Sequence, residues 1–249
     1  MTLDLSELVV IFIAVAVGAF VKGVTGSGLP LIGVPFMASF LGVEHAVVVM
    51  LVPSMAANGW IMWANRSEAP KARHLMPLFI LGAIGATAGT WVLVSFDDVW
   101  LSLALAAVIA VYVVTFLAKP DLQFSQQVTD RTNAPVGLAA GLLQGATGVS
   151  GPVVVTYLHG FRMQREEYLF SITAVYATFG AVQILALGAL GSITPARFGE
   201  SLATLVPMAM ALPLGMVVSR RVSHKTFEYM VLALLVVVGV KLVWNAVTG

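Results

Sequence analysis

Two short stretches of the sequence combine glycines, hydroxyl side chains and a proline in a pattern that suits anion binding. KGVTGSGLP (22–30) and QGATGVSGP (144–152) align at a constant spacing of 122 residues. Glycines allow tight turns and the close approach of a ligand to the backbone. A helix that starts after such a turn presents free N–H groups and the positive end of its dipole. The pattern therefore predicts two copies of one anion-binding element.

The predicted substrate-binding residues are the glycines and polar side chains of the two motifs. They are Lys22, Gly23, Thr25, Gly26, Ser27 and Gly28 in the first copy, and Gln144, Gly145, Thr147, Gly148, Ser150 and Gly151 in the second. Lys22 is the one charged member, and an ionisable residue within an apolar membrane segment indicates a function by default. Pro30 and Pro152 suit the first turn of an outgoing helix, where a missing N–H has no consequence.

Three structural explanations of these residues stay open. Lys22 would be favourable near the negative C-terminal end of the preceding helix even without a ligand. The glycines could serve close packing between helices. The hydroxyl groups could bond to carbonyls of their own helix.

The composition places the chain in a lipid bilayer. Hydrophobic residues make up 59% of its 249 residues and charged residues 10%, whereas a soluble domain carries about 25% charged residues. The net charge of +1 does not favour nucleic acid as a partner, and the chain has no cysteine for disulfides or thiolate metal sites. The first residues, MTLDLSELVV, lack the basic start of a signal peptide, so we expect them to belong to the mature protein.

Six apolar runs are predicted transmembrane helices, because each is near the roughly 20 residues that span a bilayer. They cover residues 46–62, 75–96, 99–117, 168–190, 202–218 and 227–247. The polar segment 118–135 is the natural break between two halves. We therefore predict a single membrane domain with a first repeat (1–117), a linker (118–133) and a second repeat (134–249).

The charge pattern favours motif regions that fold back instead of crossing the membrane. The first region, 8–41, would be about 51 Å long as one helix, too long for a core of about 30 Å, so we expect a break at 23–29. If both regions crossed, six loop Lys and Arg residues would lie inside and five outside, against the rule that such residues concentrate in the cytoplasm. With re-entrant hairpins and both termini outside, only Arg197 lies outside and ten lie inside: Arg66, Lys71, Arg73, Lys119, Arg131, Arg162, Arg165, Arg220, Arg221 and Lys225.

The predicted fold class follows from this topology. Each half is a re-entrant broken-helix hairpin plus three transmembrane helices, an odd number of crossings, so the second half is inverted relative to the first. Inverted repeats with broken helices that meet near the midplane are typical of secondary transporters. We expect an all-α integral membrane protein whose two glycine-rich tips lie together.

Other polar residues are weaker candidates. Glu44 and Glu166 follow the two motifs at the same spacing of 122 residues and could carry coupling protons, although interfacial carboxylates are common. His45, Asn58, Tyr176 and Gln183 lie in or beside the apolar runs and could line a cavity.

The doubled motif and the two four-element halves resemble the sulfite exporter TauE/SafE family, also called the 4-toluene sulfonate uptake permease family. The resemblance covers essentially the whole chain. It implies a multi-pass bacterial inner-membrane permease for sulfur-containing anions such as sulfite, sulfonates or sulfoacetate. Gln144 in place of Lys22 and the inserted Val149 depart from a symmetric pair, so we expect an asymmetric site with one fixed positive charge.

Other functional classes fit less well. GVSG (148–151) matches the surroundings of an intramembrane protease serine, but such a serine needs a histidine base within reach. The sequence contains neither HExxH nor a phosphate-binding GxxxxGK[ST] loop. We therefore expect no enzyme activity, cofactor or metal. The expected partners are a small anionic substrate and the lipid bilayer, and a homo-oligomer is left open. A passive anion channel is the closest alternative to a permease.

Overall fold

The fold consists of α-helices throughout the part of the chain that is described. The computed structural model describes residues 5–25, 28–118, 126–161, 163–219 and 224–248. These residues contain no β-strand, and short 3₁₀ turns precede the fourth helix. The helices are α1 (Leu5–Thr25), α2 (Leu29–Leu41), α3 (Val43–Ala64), α4 (Met76–Ser95), α5 (Asp98–Ala118), α6 (Gln126–Thr147), α7 (Gly151–His159), α8 (Arg165–Ala189), α9 (Pro195–Ala203), α10 (Leu205–Val218) and α11 (His224–Thr248).

Seven segments in the described residues are long and apolar enough to cross a membrane. They are α1, α3, α4 with the turn before it, α5, α8, α9 together with α10, and most of α11. Every predicted apolar run coincides with one of these segments to within two residues at the ends that extend past it, so the prediction of a multi-pass helical membrane protein is confirmed. The short apolar α2 falls below the length of a span.

The run predicted at 202–218 is divided between two helices. α9 ends at Ala203 and α10 begins at Leu205. Pro207 is the third residue of α10, where its missing N–H needs no partner. Because Pro207 cannot donate to the Ala203 carbonyl, the helical hydrogen-bond ladder is interrupted at this point. The Thr204 hydroxyl donates to the Ser201 carbonyl at 2.5 Å and stabilises the end of α9.

α6 begins at Gln126, inside the segment that we interpreted as a linker. Its polar residues there contact neighbouring elements. The Asn133 side chain is 1% exposed, donates to the His74 carbonyl at 2.9 Å and accepts from the Tyr157 hydroxyl at 2.9 Å. The polarity of Asn133 therefore reflects a buried contact, which composition alone does not distinguish from a loop.

Glycines bring two pairs of helices into close contact. α4 packs along α6, and α1 packs along α10. A Cβ on Gly141 would overlap the backbone of Gly82, and one on Gly215 would overlap the carbonyl of Phe20. α3 packs against α8 and α5 against α11. These contacts hold the two motif regions next to the long helices α3 and α8.

Candidate functional site

Both motifs break the helix in the way that the sequence predicts. α1 ends at Thr25 and α2 begins at Leu29, while α6 ends at Thr147 and α7 begins at Gly151. Pro30 and Pro152 each occupy the first turn of the outgoing helix, which confirms their predicted positions. Gly26 and Ser27 lie outside the described residues.

A left-handed glycine shapes each break. Gly28 has φ of 114° and precedes α2, and Gly148 has φ of 70° and follows α6. Side chains with a Cβ rarely adopt these backbone angles. At Gly148 an added Cβ would also press on Val47 of α3 at 2.9 Å. The two breaks therefore depend on glycine for their geometry.

The two breaks contribute to one cavity of about 40 Å³. Its walls come from the helix breaks, from α2, and from the facing sides of α3 and α8. The polar and glycine residues of the lining are Gly28, Ser54, Asn58, Gln144, Gly148, Ser150, Gly151, Tyr176, Gly180 and Gln183. Of the described predicted site residues, five therefore line this cavity and five lie beside it: Lys22, Gly23, Thr25, Gly145 and Thr147.

Lys22 does not line the cavity itself, but it contacts Asn58, which does. Its side chain is 2% exposed, and its Nζ donates to Asn58 Oδ1 at 2.7 Å. Within the described part of the chain, no carboxylate lies within ion-pair distance of this ammonium group. The positive charge of Lys22 therefore lies next to the cavity wall and is not neutralised by a described acid.

The second break holds a closed hydrogen-bond network instead of a charge. The Ser150 hydroxyl donates to Gln144 Oε1 at 2.8 Å, and Gln144 Nε2 donates to Gln183 Oε1 and to the Gly148 carbonyl, both at 3.2 Å. Gln183 Nε2 donates to the carbonyls of Gln144 and Gly145 at 3.0 Å. Both carbonyls belong to the last turn of α6, where the Gln144 carbonyl also accepts from the Gly148 N–H at 2.8 Å, so Gln183 adds a donor at the end of this helix.

The threonines of the two motifs bond to their own helices. Thr25 donates to the Val21 carbonyl at 3.0 Å, and Thr147 donates to the Leu143 carbonyl at 2.7 Å. Both bonds reach back four residues, as hydroxyl side chains commonly do in helices. This matches the structural explanation that the sequence left open for the hydroxyl groups.

Gly23 and Gly145 are points of helix contact. A Cβ on Gly23 would overlap the Leu212 carbonyl of α10, and a Cβ on Gly145 would overlap the Ala86 carbonyl and the Thr90 nitrogen of α4. Each half of the chain thus uses the same motif glycine to admit a neighbouring helix.

Ser54 is a polar side chain of the cavity that sequence reasoning missed. Its Oγ is buried and has no hydrogen-bond partner among the described residues. The repeat spacing could have identified it, because Ser54 lies 122 residues before the candidate Tyr176. Both residues line the cavity. Asn58 and Gln183, predicted only as possible cavity residues, also line it.

The acidic and histidine candidates lie outside the cavity lining. Glu44 accepts a hydrogen bond from Arg197 Nη1 at 2.9 Å, and His45 Nε2 lies 2.6 Å from Glu200 Oε2. Glu166 is exposed in the first turn of α8. Ser150, the serine of GVSG, bonds to Gln144, and the described lining includes no histidine.

Comparison with known proteins identifies one family. Its sequence model, described as "Sulfite exporter TauE/SafE", matches residues 10–242. A search among curated proteins gave no match, and a search among solved structures gave none either.

Proposed function

Because the chain belongs to the sulfite exporter TauE/SafE family, we propose that it carries a small sulfur-containing oxyanion across the bacterial inner membrane. It is a multi-pass membrane protein of a transporter family. The proposed cargo is sulfite or an anion of similar size, bound in the cavity between the two helix breaks. The observation that carries this proposal is the single cavity to which both glycine-rich motifs contribute, one from each half of the chain.

The size of the cavity favours the smallest anions of the class. A buried water needs about 10–15 Å³ of such volume, so about 40 Å³ has room for about three waters. A sulfite ion has four heavy atoms and is comparable in size. An aromatic sulfonate is several times larger and would need a rearranged site.

The charge and polarity of the site favour an anion. Lys22 supplies a positive charge behind the wall, and hydroxyl and amide groups of α3 line the wall itself. Charge-assisted hydrogen bonds from such groups are stronger than neutral ones. A neutral or cationic cargo would leave the buried ammonium group without compensation.

We further propose that the two motif hairpins enter the bilayer from opposite faces, as in an inverted repeat. Contacts within each hairpin support this arrangement. Gly18 of α1 lies against the backbone of Leu29 and Gly33 in α2, and Tyr157 near the end of α7 bonds to Asn133 near the start of α6. These contacts support a hairpin in which each outgoing helix runs back along its incoming partner.

Contacts between the halves are consistent with opposite entry faces. The Asn245 side chain near the end of α11 donates to the Ser39 carbonyl near the end of α2 at 2.9 Å. Asn133, near the start of α6, donates to the carbonyl of His74, which precedes α4. The first contact joins the C-terminal ends of α11 and α2, and the second joins the N-terminal ends of α6 and α4. In the proposed topology these two contacts lie at opposite faces of the membrane. Such a repeat would let the cavity open alternately to the two faces.

Uptake of radiolabelled sulfite into proteoliposomes tests the proposed function. A carrier predicts saturable uptake that is accelerated by unlabelled sulfite on the opposite side and is competed weakly by 4-toluenesulfonate. Liposomes without protein are the control. Non-saturating flux without acceleration would favour the passive channel, and no flux above the control for sulfite and related small oxyanions would contradict the proposal.

A further inference from the structure

The two halves of the cavity wall differ in whether their polar groups are already bonded. Around the second break, both amide groups of Gln144 and Gln183 and the Ser150 hydroxyl take part in hydrogen bonds within the protein. On α3, the Ser54 hydroxyl has no partner in the described part of the chain, and the hydrogen bond of Asn58 there uses only its oxygen. Between α3 and the glutamine network, the donors without a described partner therefore lie on α3, and the Tyr176 hydroxyl of α8 is a further donor in the lining.

Lys22 determines which end of the Asn58 amide faces the cavity. An ammonium group can only donate hydrogen bonds, so the atom of Asn58 at 2.7 Å from Nζ must be its oxygen. The NH₂ group then lies on the other side of the amide. Since Asn58 is 3% exposed and lines the cavity, this NH₂ group is the polar atom that it can offer to a ligand.

Ser54 and Asn58 are four residues apart on α3. Side chains at this spacing lie on the same face of a helix, about 5–6 Å apart at their Cβ atoms. One small oxyanion can therefore accept hydrogen bonds from both. The glutamine network opposite has no such pair of free donors.

We infer that the Ser54 hydroxyl and the Asn58 NH₂ group are the donors that bind the oxygen atoms of the anion, and that Lys22 acts as a positioning residue for Asn58. The Gln144–Gln183–Ser150 network then holds the second helix break in shape. This inference rests on the proposed function, since it assigns the ligands of the same cavity.

Calorimetric titration of the purified protein with sodium sulfite tests the assignment. Ser54→Ala removes one donor and should weaken sulfite binding at least tenfold, about 1.4 kcal/mol. Its melting temperature should not fall, because the hydroxyl has no partner to lose among the described residues. The matched control is Ser171→Ala, which removes the other buried hydroxyl that lacks a described partner but lies outside the cavity lining. Ser171→Ala should bind sulfite as the unaltered protein does.

A second variant, Asn58→Asp, removes the NH₂ donor of Asn58 while it keeps the shape of the side chain. The carboxylate keeps an oxygen for Lys22 but replaces the NH₂ donor by a negatively charged acceptor. We expect an unchanged or higher melting temperature and a loss of measurable sulfite binding. If the unaltered protein binds sulfite and both Ser54→Ala and Asn58→Asp bind it within twofold of that affinity, the assignment is wrong while the proposed function stands. If the unaltered protein binds neither sulfite nor other small oxyanions, the proposed function and the assignment fall together.

Discussion

Lys22 is buried on a helix that is long and apolar enough to cross the membrane. A buried ammonium group is unfavourable unless other groups replace its hydration. Asn58 supplies one hydrogen bond, and an ammonium group has three to donate. A bound anion nearby would complete this compensation. In the proposed site, Lys22 would therefore link stability to the binding of negative charge.

The first prediction concerns this charge. Lys22→Gln gives the first break the residue that the second break has, so the protein should still insert. Because Asn58 lies between Lys22 and the cavity, we take a separation of about 6 Å between the ammonium group and the anion, where the attraction is about 3 kcal/mol at an effective dielectric constant near 20, before desolvation. Loss of half of that weakens binding about tenfold, so titration should find sulfite affinity reduced at least tenfold. Lys22→Arg, which keeps the charge in another shape, should retain partial affinity. Unchanged affinity in Lys22→Gln would limit Lys22 to a role in folding.

The motif residues could be predicted from the sequence because they repeat at a fixed spacing. Gly28, Gln144, Gly148, Ser150 and Gly151 do line the cavity. Asn58 could not be assigned as the partner of Lys22, because that contact joins residues 36 positions apart and depends on how α1 packs beside α3. Polarity in an apolar run indicates a candidate but not the atom that it contacts.

At the scale of the helices, α9 contacts α3 next to a proline of α3. Pro53 has no N–H to donate to the Val49 carbonyl, which would otherwise lack its helical partner. Ser201 of α9 fills this place: its hydroxyl donates to the Val49 carbonyl at 2.7 Å and accepts from the Val52 N–H at 3.1 Å. A break in one helix is thus satisfied by a side chain from another, close to the helix turn that carries Ser54.

The second prediction tests this contact by a double-mutant cycle. Ser201→Ala leaves the buried Val49 carbonyl without its donor, which should lower the free energy of unfolding by about 1–3 kcal/mol. In Pro53→Ala the helix regains the missing N–H, so the same serine substitution should then have a smaller effect. Thermal or denaturant unfolding in detergent measures all four proteins. Equal effects of Ser201→Ala in both backgrounds would mean that the serine does not compensate for the proline.

The existence of the helices was predictable and some of their ends were not. Apolar runs of about 20 residues gave the long helices because lipid requires internally bonded backbone. The division at Thr204 escaped prediction, since Pro207 suits a kink inside one helix as well as the first turn of a new one. The early start of α6 escaped prediction because the polar Asn133 suggested a loop. In the structure its side chain is hydrogen-bonded to His74 and Tyr157.

Over the whole molecule, the distribution of positive charge gives the strongest prediction. Ten Lys and Arg residues share one face only if both motif regions are re-entrant, whereas eight crossings divide them nearly evenly. The helix lengths do not decide between these topologies. The proposed orientation of the helices in the membrane and the proposed repeat boundaries therefore rest on charge and on the spacing of the motifs.

The third prediction is the resulting topology. Because the chain has no cysteine, single cysteines can be introduced at exposed Ser67, Gln164 and Gly199 and labelled from either side of the membrane. Ser67→Cys and Gln164→Cys should react from the cytoplasmic side and Gly199→Cys from the opposite side. Labelling of the first two positions from opposite sides would indicate eight crossings and contradict the inverted repeat.

The central claim is that the anion passes through the cavity between the two helix breaks, and a filled cavity tests it most directly. Gly151 lines the cavity, and an added Cβ would meet only the Tyr176 hydroxyl, at 3.5 Å. Gly151→Val should therefore fold and insert, occupy the space of the anion, and reduce sulfite flux into proteoliposomes at least tenfold. Gly188→Val is the matched control, because Gly188 is exposed on α8 with no atom within 4 Å of its added Cβ, and its flux should be unchanged. Flux through Gly151→Val equal to that of the control would place the path of the anion elsewhere.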